Sequence, residues 1–291
     1  CAGGGLQGHR HHHRGHQCLR DRPTQRGSGE DRRSGAMPEA RRTDERAAQM
    51  RNPETKARIL SEKSERLAGD GTSVPPIVDI LLAQIDLLAG RMFPLTDELD
   101  YEPPLTASFA ARAQMQGIRP IEAIYDYLCE GDGSNLIYFP IFNYATNSLE
   151  TVWQMLNHPL SLSALSDAGA HVGTVCDASF PTSMLAFWTR DRKRGERLPL
   201  PQAVERLTSR NAKYLGLADR GRLQVGMKAD VNVIDYAGLK LLKPELKRDL
   251  PAGGKRFVQR ANGYVATIVA GEIVLCEGEI MEARPGRLIR K

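Results

Sequence analysis

The sequence predicts an α/β protein followed by a small antiparallel β unit. Two observations carry this. Between Leu136 and Leu207 short strand-like runs alternate with segments of helical spacing, an order that suggests parallel strands joined by helices. After Gly226 helical spacing gives way to closely spaced strand-like runs, two of them forming a hairpin around Gly271. No internal repeat is evident, and 291 residues suffice for one large domain or one domain with a smaller companion.

The elements follow in chain order. Glu45 to Leu60 is charged and helix-permissive, with Ala47, Met50, Ile59 and Leu60 as its apolar marks. Gly69 to Pro76 is a breaker-rich loop. Ile77 to Leu88 reads as an apolar helix and Pro94 to Pro104 as a proline-rich loop. Thr106 to Gln116 and Pro120 to Glu130 read as two helices, Pro120 taking the tolerated first-turn position. Leu136 to Phe142 reads as a buried strand that Pro140 ends or bulges. Asn147 or Ser148 is expected to cap a helix running to about Leu156, stopped by His158-Pro159. Leu160 to Ser166 reads as a second short strand and Ala178 to Trp188 as a helix. Leu200, Ala203, Val204 and Leu207 mark another helix. Strands are expected at Asp230 to Ile234, Tyr264 to Ala270 and Glu272 to Cys276, with a third short one after Gly278. Trp153 and Trp188 are expected in the core, and the charge run Arg190 to Arg197 on a solvated loop.

Residues 1–36 stand apart. They are Gly, Arg and His with almost no aliphatic side chains, too few to offset chain entropy by burial. They are expected to be either a disordered basic tail or sequence translated out of frame ahead of the folded segment. They also hold +4 of the net charge of +5, so the remainder is nearly neutral and nucleic-acid binding by it is not expected. The longest apolar run is interrupted by Asp79, Gln84 and Asp86, so no membrane span is expected, and with no apolar secretory signal a cytoplasmic location is the default. The five cysteines are widely spaced without a C-x-x-C pair, and reduced thiols are expected.

The sharpest chemical feature is Ser166-Asp167-Ala168-Gly169-Ala170-His171. A carboxylate at the C-terminal end of a strand, followed by small residues and an imidazole, can ligate a metal or carry a proton while leaving room for substrate. By spacing alone an Asp–Gly turn after a strand is commonplace.

That motif resembles the strand-eight motif of amidohydrolases related to D-aminoacylase, the N-acyl-D-amino-acid deacylases. Cys176 to Thr182, Leu207 to Leu217, and Gly221 to Leu223 with Gly226 to Asp235 are similar to the segments that follow it there, and Ala283 to Arg287 to the family's C-terminus. Arg91 to Leu95 and Tyr101 to Pro103 resemble it more faintly. The resemblance implies the last strands and helices of a partial (β/α)8 metal-dependent hydrolase barrel over 37–225 and the C-terminal part of a small β-sandwich over 226–291. Strand C-terminal ends form the catalytic face of such a barrel. It further implies hydrolysis of N-acyl-D-amino acids or similar linear amides. A zinc ion would lower the pKa of its water from 15.7 to about 7. Asp167 would move the proton to the leaving amine and touch the metal. His171 would orient Asp167 or bind the substrate carboxylate. Tyr138, Asn143 and Tyr144 end the preceding strand and are candidates to line the pocket; core packing for Tyr138 and loop capping for Asn143 are the plainer readings.

The sequence departs from the family at its histidines. The family supplies an H-x-H pair from its first barrel strand and further histidines from strands five and six. Here five of the seven histidines lie in the leader, leaving His158 and His171. His11-His12-His13 has the spacing but no strand before it. Three protein ligands are usual for catalytic zinc. The expectation is therefore a fragment lacking most of its ligand set, inactive alone and prone to self-association through open strand edges. The alternatives are a catalytically inactive remnant and a cyclic amidase acting on hydantoins or dihydropyrimidines.

Overall fold

The computed structural model describes residues 39–62, 76–144, 146–163, 172–173 and 175–289. Leader residues 1–36 and the motif residues Asp167 and His171 lie outside them.

Helix α1 spans Glu39–Met50 and α2 spans Pro53–Ser61, so the predicted single stretch is two helices. Asn52 splits them: its side chain accepts from the Glu54 and Thr55 amides while Pro53 opens α2. The predicted apolar helix is likewise two, α3 (Pro76–Ala83) and α4 (Ile85–Leu88), joined at Gln84. Strand β1 is Phe93–Leu95. Helix α5 (Phe109–Gln116) starts at the Ser108 cap and stops at Gly117, whose φ of 67° suits glycine. Helix α6 is Pro120–Cys129 and strand β2 is Leu136–Tyr138. Pro140 ends that strand, two residues after Tyr138.

β1 pairs with β2 antiparallel, Phe93 opposite Tyr138 and Leu95 opposite Leu136. Every strand pair among the described residues is antiparallel, as expected for the β unit; of the two strands expected to run parallel, Leu136 to Phe142 is met by β2, and Leu160 to Ser166 runs beyond the described residues. The physical reason at β1–β2 is the pair α5–α6: one crossover helix returns a chain parallel, whereas two bring it back from the opposite end. Residues 161–163, expected to begin a strand, have no regular structure.

Helix α7 is Glu150–Asn157. Neither Asn147 nor Ser148 is its cap; the cap is Leu149, whose amide donates to Glu102 Oε1 at 2.7 Å. Helix α8 (Phe180–Ala186) runs into a π-helical turn, Phe187–Asp191. Helices α9 (Leu200–Leu207) and α10 (Ser209–Tyr214) follow. The β unit holds β3 (Val231–Ile234), β4 (Lys240–Leu241), β5 (Glu245–Leu250), β6 (Gly254–Val258), β7 (Ala261–Asn262), β8 (Tyr264–Val269), β9 (Glu272–Cys276) and β10 (Glu279–Ile280). One sheet has the order β10-β9-β8-β3. Its β8–β9 hairpin turns at Ala270 and Gly271, both at positive φ, as the sequence predicts.

Two apolar clusters hold these parts. One centres on Met92, Phe109, Ala113, Ile124 and Tyr127, between α5 and α6. The other centres on Leu156, Met184, Trp188, Leu198 and Leu239 and joins α7, α8 and α9 to the β unit.

The charge run 190–197 is exposed from Lys193 to Arg197, as expected, but not at Arg192. Arg192 is fully buried. Its Nε and one terminal nitrogen donate to the Glu102 carboxylate at 2.9 and 3.2 Å, and another donates to Glu196 O at 2.8 Å. Its guanidinium lies 4.9 Å from the Trp188 ring centre and 5.8 Å from that of Trp153. Flat aromatic faces and a bidentate carboxylate let a guanidinium be buried where an isolated charge could not be.

Cys129 and Cys176 are free thiols, as expected. Among the described residues no helix is long and apolar enough to cross a membrane.

Candidate active-site wall

The motif Ser166 to His171 falls outside the described residues, but its flanks are placed. Upstream, Ser163 O accepts from Asn211 Nδ2 of α10 at 2.7 Å. Downstream, Val172 O accepts from the Phe257 amide of β6 at 2.7 Å. The segment carrying Asp167 is thus moored at one end to α10 and at the other to the β unit.

Beyond the downstream mooring lies a polar network. Tyr138, at the end of β2, donates its hydroxyl to Tyr101 O at 3.2 Å. The two rings meet edge to face at 5.3 Å. Gln259 Nε2 donates to Tyr101 Oη at 2.7 Å and to Leu242 O at 2.9 Å, and Gln259 Oε1 accepts from the Ser179 hydroxyl. All three valences of the Gln259 amide used here fix its orientation, and with it the position of Tyr101.

Burial raises the pKa of Tyr101 and of Tyr138, so both phenols remain neutral. Burial, and then the Asp177 carboxylate, push the Cys176 thiol up. A raised thiol is a poor nucleophile, consistent with a structural role for Cys176. Tyr138 and Ser179 spend their hydroxyl protons inside this network, while Tyr101 Oη accepts from Gln259.

The remaining candidates divide. Tyr144 is fully buried, donates to Pro103 O at 2.7 Å and accepts from Arg194 at 3.2 Å. Asn143 is exposed, with φ of 59° in the left-handed region that asparagine tolerates. Tyr144 and Tyr138 both pack on the Phe93 ring, at 6.3 and 6.4 Å, whereas Asn143 stands on the surface beside Tyr144 in sequence. His158 is exposed, its Nδ1 accepting from the Leu160 amide at 3.2 Å. Among the described residues no group of three or more His, Cys, Asp or Glu is placed to hold a metal ion, so these residues alone do not fit one. Gln259 and Ser179 escaped the sequence reading because Gln259 sits 158 residues from Tyr101, a separation that no local pattern reveals.

A family model, that of the amidohydrolase family, matches residues 88–275. No curated protein and no solved structure matches the chain. The matched span covers well over half of the sequence and takes in the motif, its two moorings and the Tyr101–Gln259 network. Membership implies a fold of the (β/α)8 type, hydrolytic chemistry and, generally, a bound metal ion. The chain belongs to the amidohydrolase family.

Proposed function

We propose that this chain forms part of a hydrolase of linear, non-peptide amides, of the N-acyl-D-amino-acid deacylase kind. In this reading 37–225 belong to the barrel and 226–291 to the small β-sandwich. The observation that carries it is the motif Ser166 to His171, lying inside the span that matches the family and followed in order by Cys176 to Thr182 and Leu207 to Leu217. Asp167 is the proton-transfer group: it takes a proton from the attacking water and returns it to the leaving amine. His171 orients Asp167 or holds the substrate carboxylate. Asn143 and Tyr144 are the further substrate-side residues. Zinc is the metal this reading calls for, with Asp167 among its ligands, and N-acyl amino acids are the substrate class.

A second reading, a catalytically inactive remnant, is favoured by the lack of a metal-holding cluster among the described residues and by His158 and His171 being the only histidines outside the leader.

The test is hydrolysis by the purified chain after zinc loading and dialysis, with N-acetyl-D-amino acids, their L forms, hydantoin and dihydrouracil. Retained zinc and turnover of the D forms, lost in a folded Asp167→Asn variant, supports the deacylase reading. Turnover of the cyclic amides alone replaces it with a cyclic amidase. No retained zinc and no turnover leaves the remnant.

A further inference from the structure

A cleft of about 850 Å³ opens between the 98–104 loop, the end of α8 with the arginine-rich segment after it, and the 237–241 turn. Leu99, Ala186, Phe187 and Leu241 contribute apolar lining. Lys193, Arg194, Arg197 and Lys240 line it as well. Among the described residues none of these four cations forms an ion pair, whereas Arg190 is committed to Asp191 at 2.6 Å and Arg192 to Glu102. The carboxylates left over are Glu98 and Asp100, so positive charge is in excess.

The walls are fixed in advance. Arg194 donates to the carbonyls of Glu102, Pro103 and Asn147 at 3.0, 3.1 and 3.0 Å. Carbonyls satisfy its donors without cancelling its charge. Arg190 donates to Tyr236 O and Leu239 O across the cleft's other side. Together the two arginines tie all three walls. A preformed concave cleft of this size is the usual form of a small-molecule site, and here charged side chains sit beside a short apolar stretch.

We propose that this cleft binds an amphipathic monocarboxylate, its head at Lys193, Arg197 and Lys240 and its apolar body against Leu99 and Phe187. Glu98 and Asp100 offset two of the four cations and leave a positive surplus for a carboxylate head. Tyr101, which also joins the Gln259 network, lines the cleft, but carboxylate binding here does not rest on the amide-hydrolase reading.

Calorimetric titration of the full chain with octanoate at low salt tests it. Octanoate is expected to bind with salt-sensitive affinity, and Lys193→Ala with Lys240→Ala to weaken it roughly tenfold. The side chains of these two lysines are exposed and make no hydrogen bond among the described residues, so the variant keeps its fold, checked by circular dichroism. Equal binding of octanol would overturn the role of the cations. Tighter binding of inorganic phosphate would overturn the apolar body. The same loss in Lys247→Ala, a lysine outside the cleft, or no heat with octanoate, would overturn the site.

Discussion

Residues 190–197 and the β5–β6 hairpin, 245–258, are both dense in Arg, Lys, Asp and Glu and both largely exposed, yet only the first holds a fully buried arginine. In the first, Arg192 is sealed between two tryptophans and a buried carboxylate. In the second, β5 is exposed along its whole length and its Arg256–Asp249 pair, at 2.7 Å, stands in solvent. Local charge density does not separate the two. What separates them is whether distant residues supply flat rings and a carboxylate, and Glu102 lies 90 residues from its arginine.

The largest expected effect lies there. Arg192→Ala strands Glu102 and should cost about 3–5 kcal/mol, read as a fall in the urea midpoint by circular dichroism. Arg256→Ala should leave the midpoint where it is. Equal shifts would erase the contrast between the two regions.

Gly195 sharpens it next. Its φ is +141°, and a Cβ there would come within 2.6 Å of the Arg192 guanidinium carbon. Gly195→Ala should cost on the order of 1–3 kcal/mol, less than removing Arg192 because the ion pair survives in displaced form. A neutral Gly195→Ala in the same denaturation assay would show that the arginine seat is loose.

A smaller effect tests an intermediate case. Asp86 accepts from the Ile121 amide at 2.8 Å and from Arg119 at 2.9 Å, at the start of α6. Burial, the largest single influence, pushes its pKa up, but the Arg119 guanidinium and the Ile121 amide together hold it below the usual carboxylate value. A depressed folded pKa means stability present above the unfolded value, about 3.9, and lost as pH falls through the folded one. Asp86→Asn should therefore be less stable than the parent at pH 7, with the gap closing below about pH 4. A gap independent of pH would assign the effect to the cap's geometry alone.

The smallest expected signal is chemical. Cys176, held protonated, should be alkylated by iodoacetamide at pH 7.5 more slowly than glutathione. Faster labelling would reopen it as a nucleophile.

Much of the helical order was legible. Pro120 at a first turn, Gly117 after α5 and the 200–207 spacing are local signals, and local signals survive folding. The β8–β9 hairpin was legible for the same reason. Strand β1 was not, because three residues around Pro94 carry no strand pattern and pair only once α5 and α6 bring β2 back beside them. Nor was the Leu149 cap, since its partner is the Glu102 carboxylate rather than the nearby Asn147 or Ser148. On the site, sequence isolated Asp167 and His171 and named Tyr138, Asn143 and Tyr144 for the pocket, but not the rest of the wall. Tyr101, Ser179 and Gln259 come from three separate parts of the chain and become neighbours only once the β unit docks.

The seat of Arg192 has one more consequence, optical rather than energetic. The chain has two tryptophans, and both are in it, their rings 6.3 Å apart and inclined by 20°. Intrinsic tryptophan emission from this protein therefore reports on that junction alone, silent about the β hairpins and about α5–α6. A fluorescence melt and a circular-dichroism melt that coincide would show that the junction and the rest of the molecule come apart in one cooperative step.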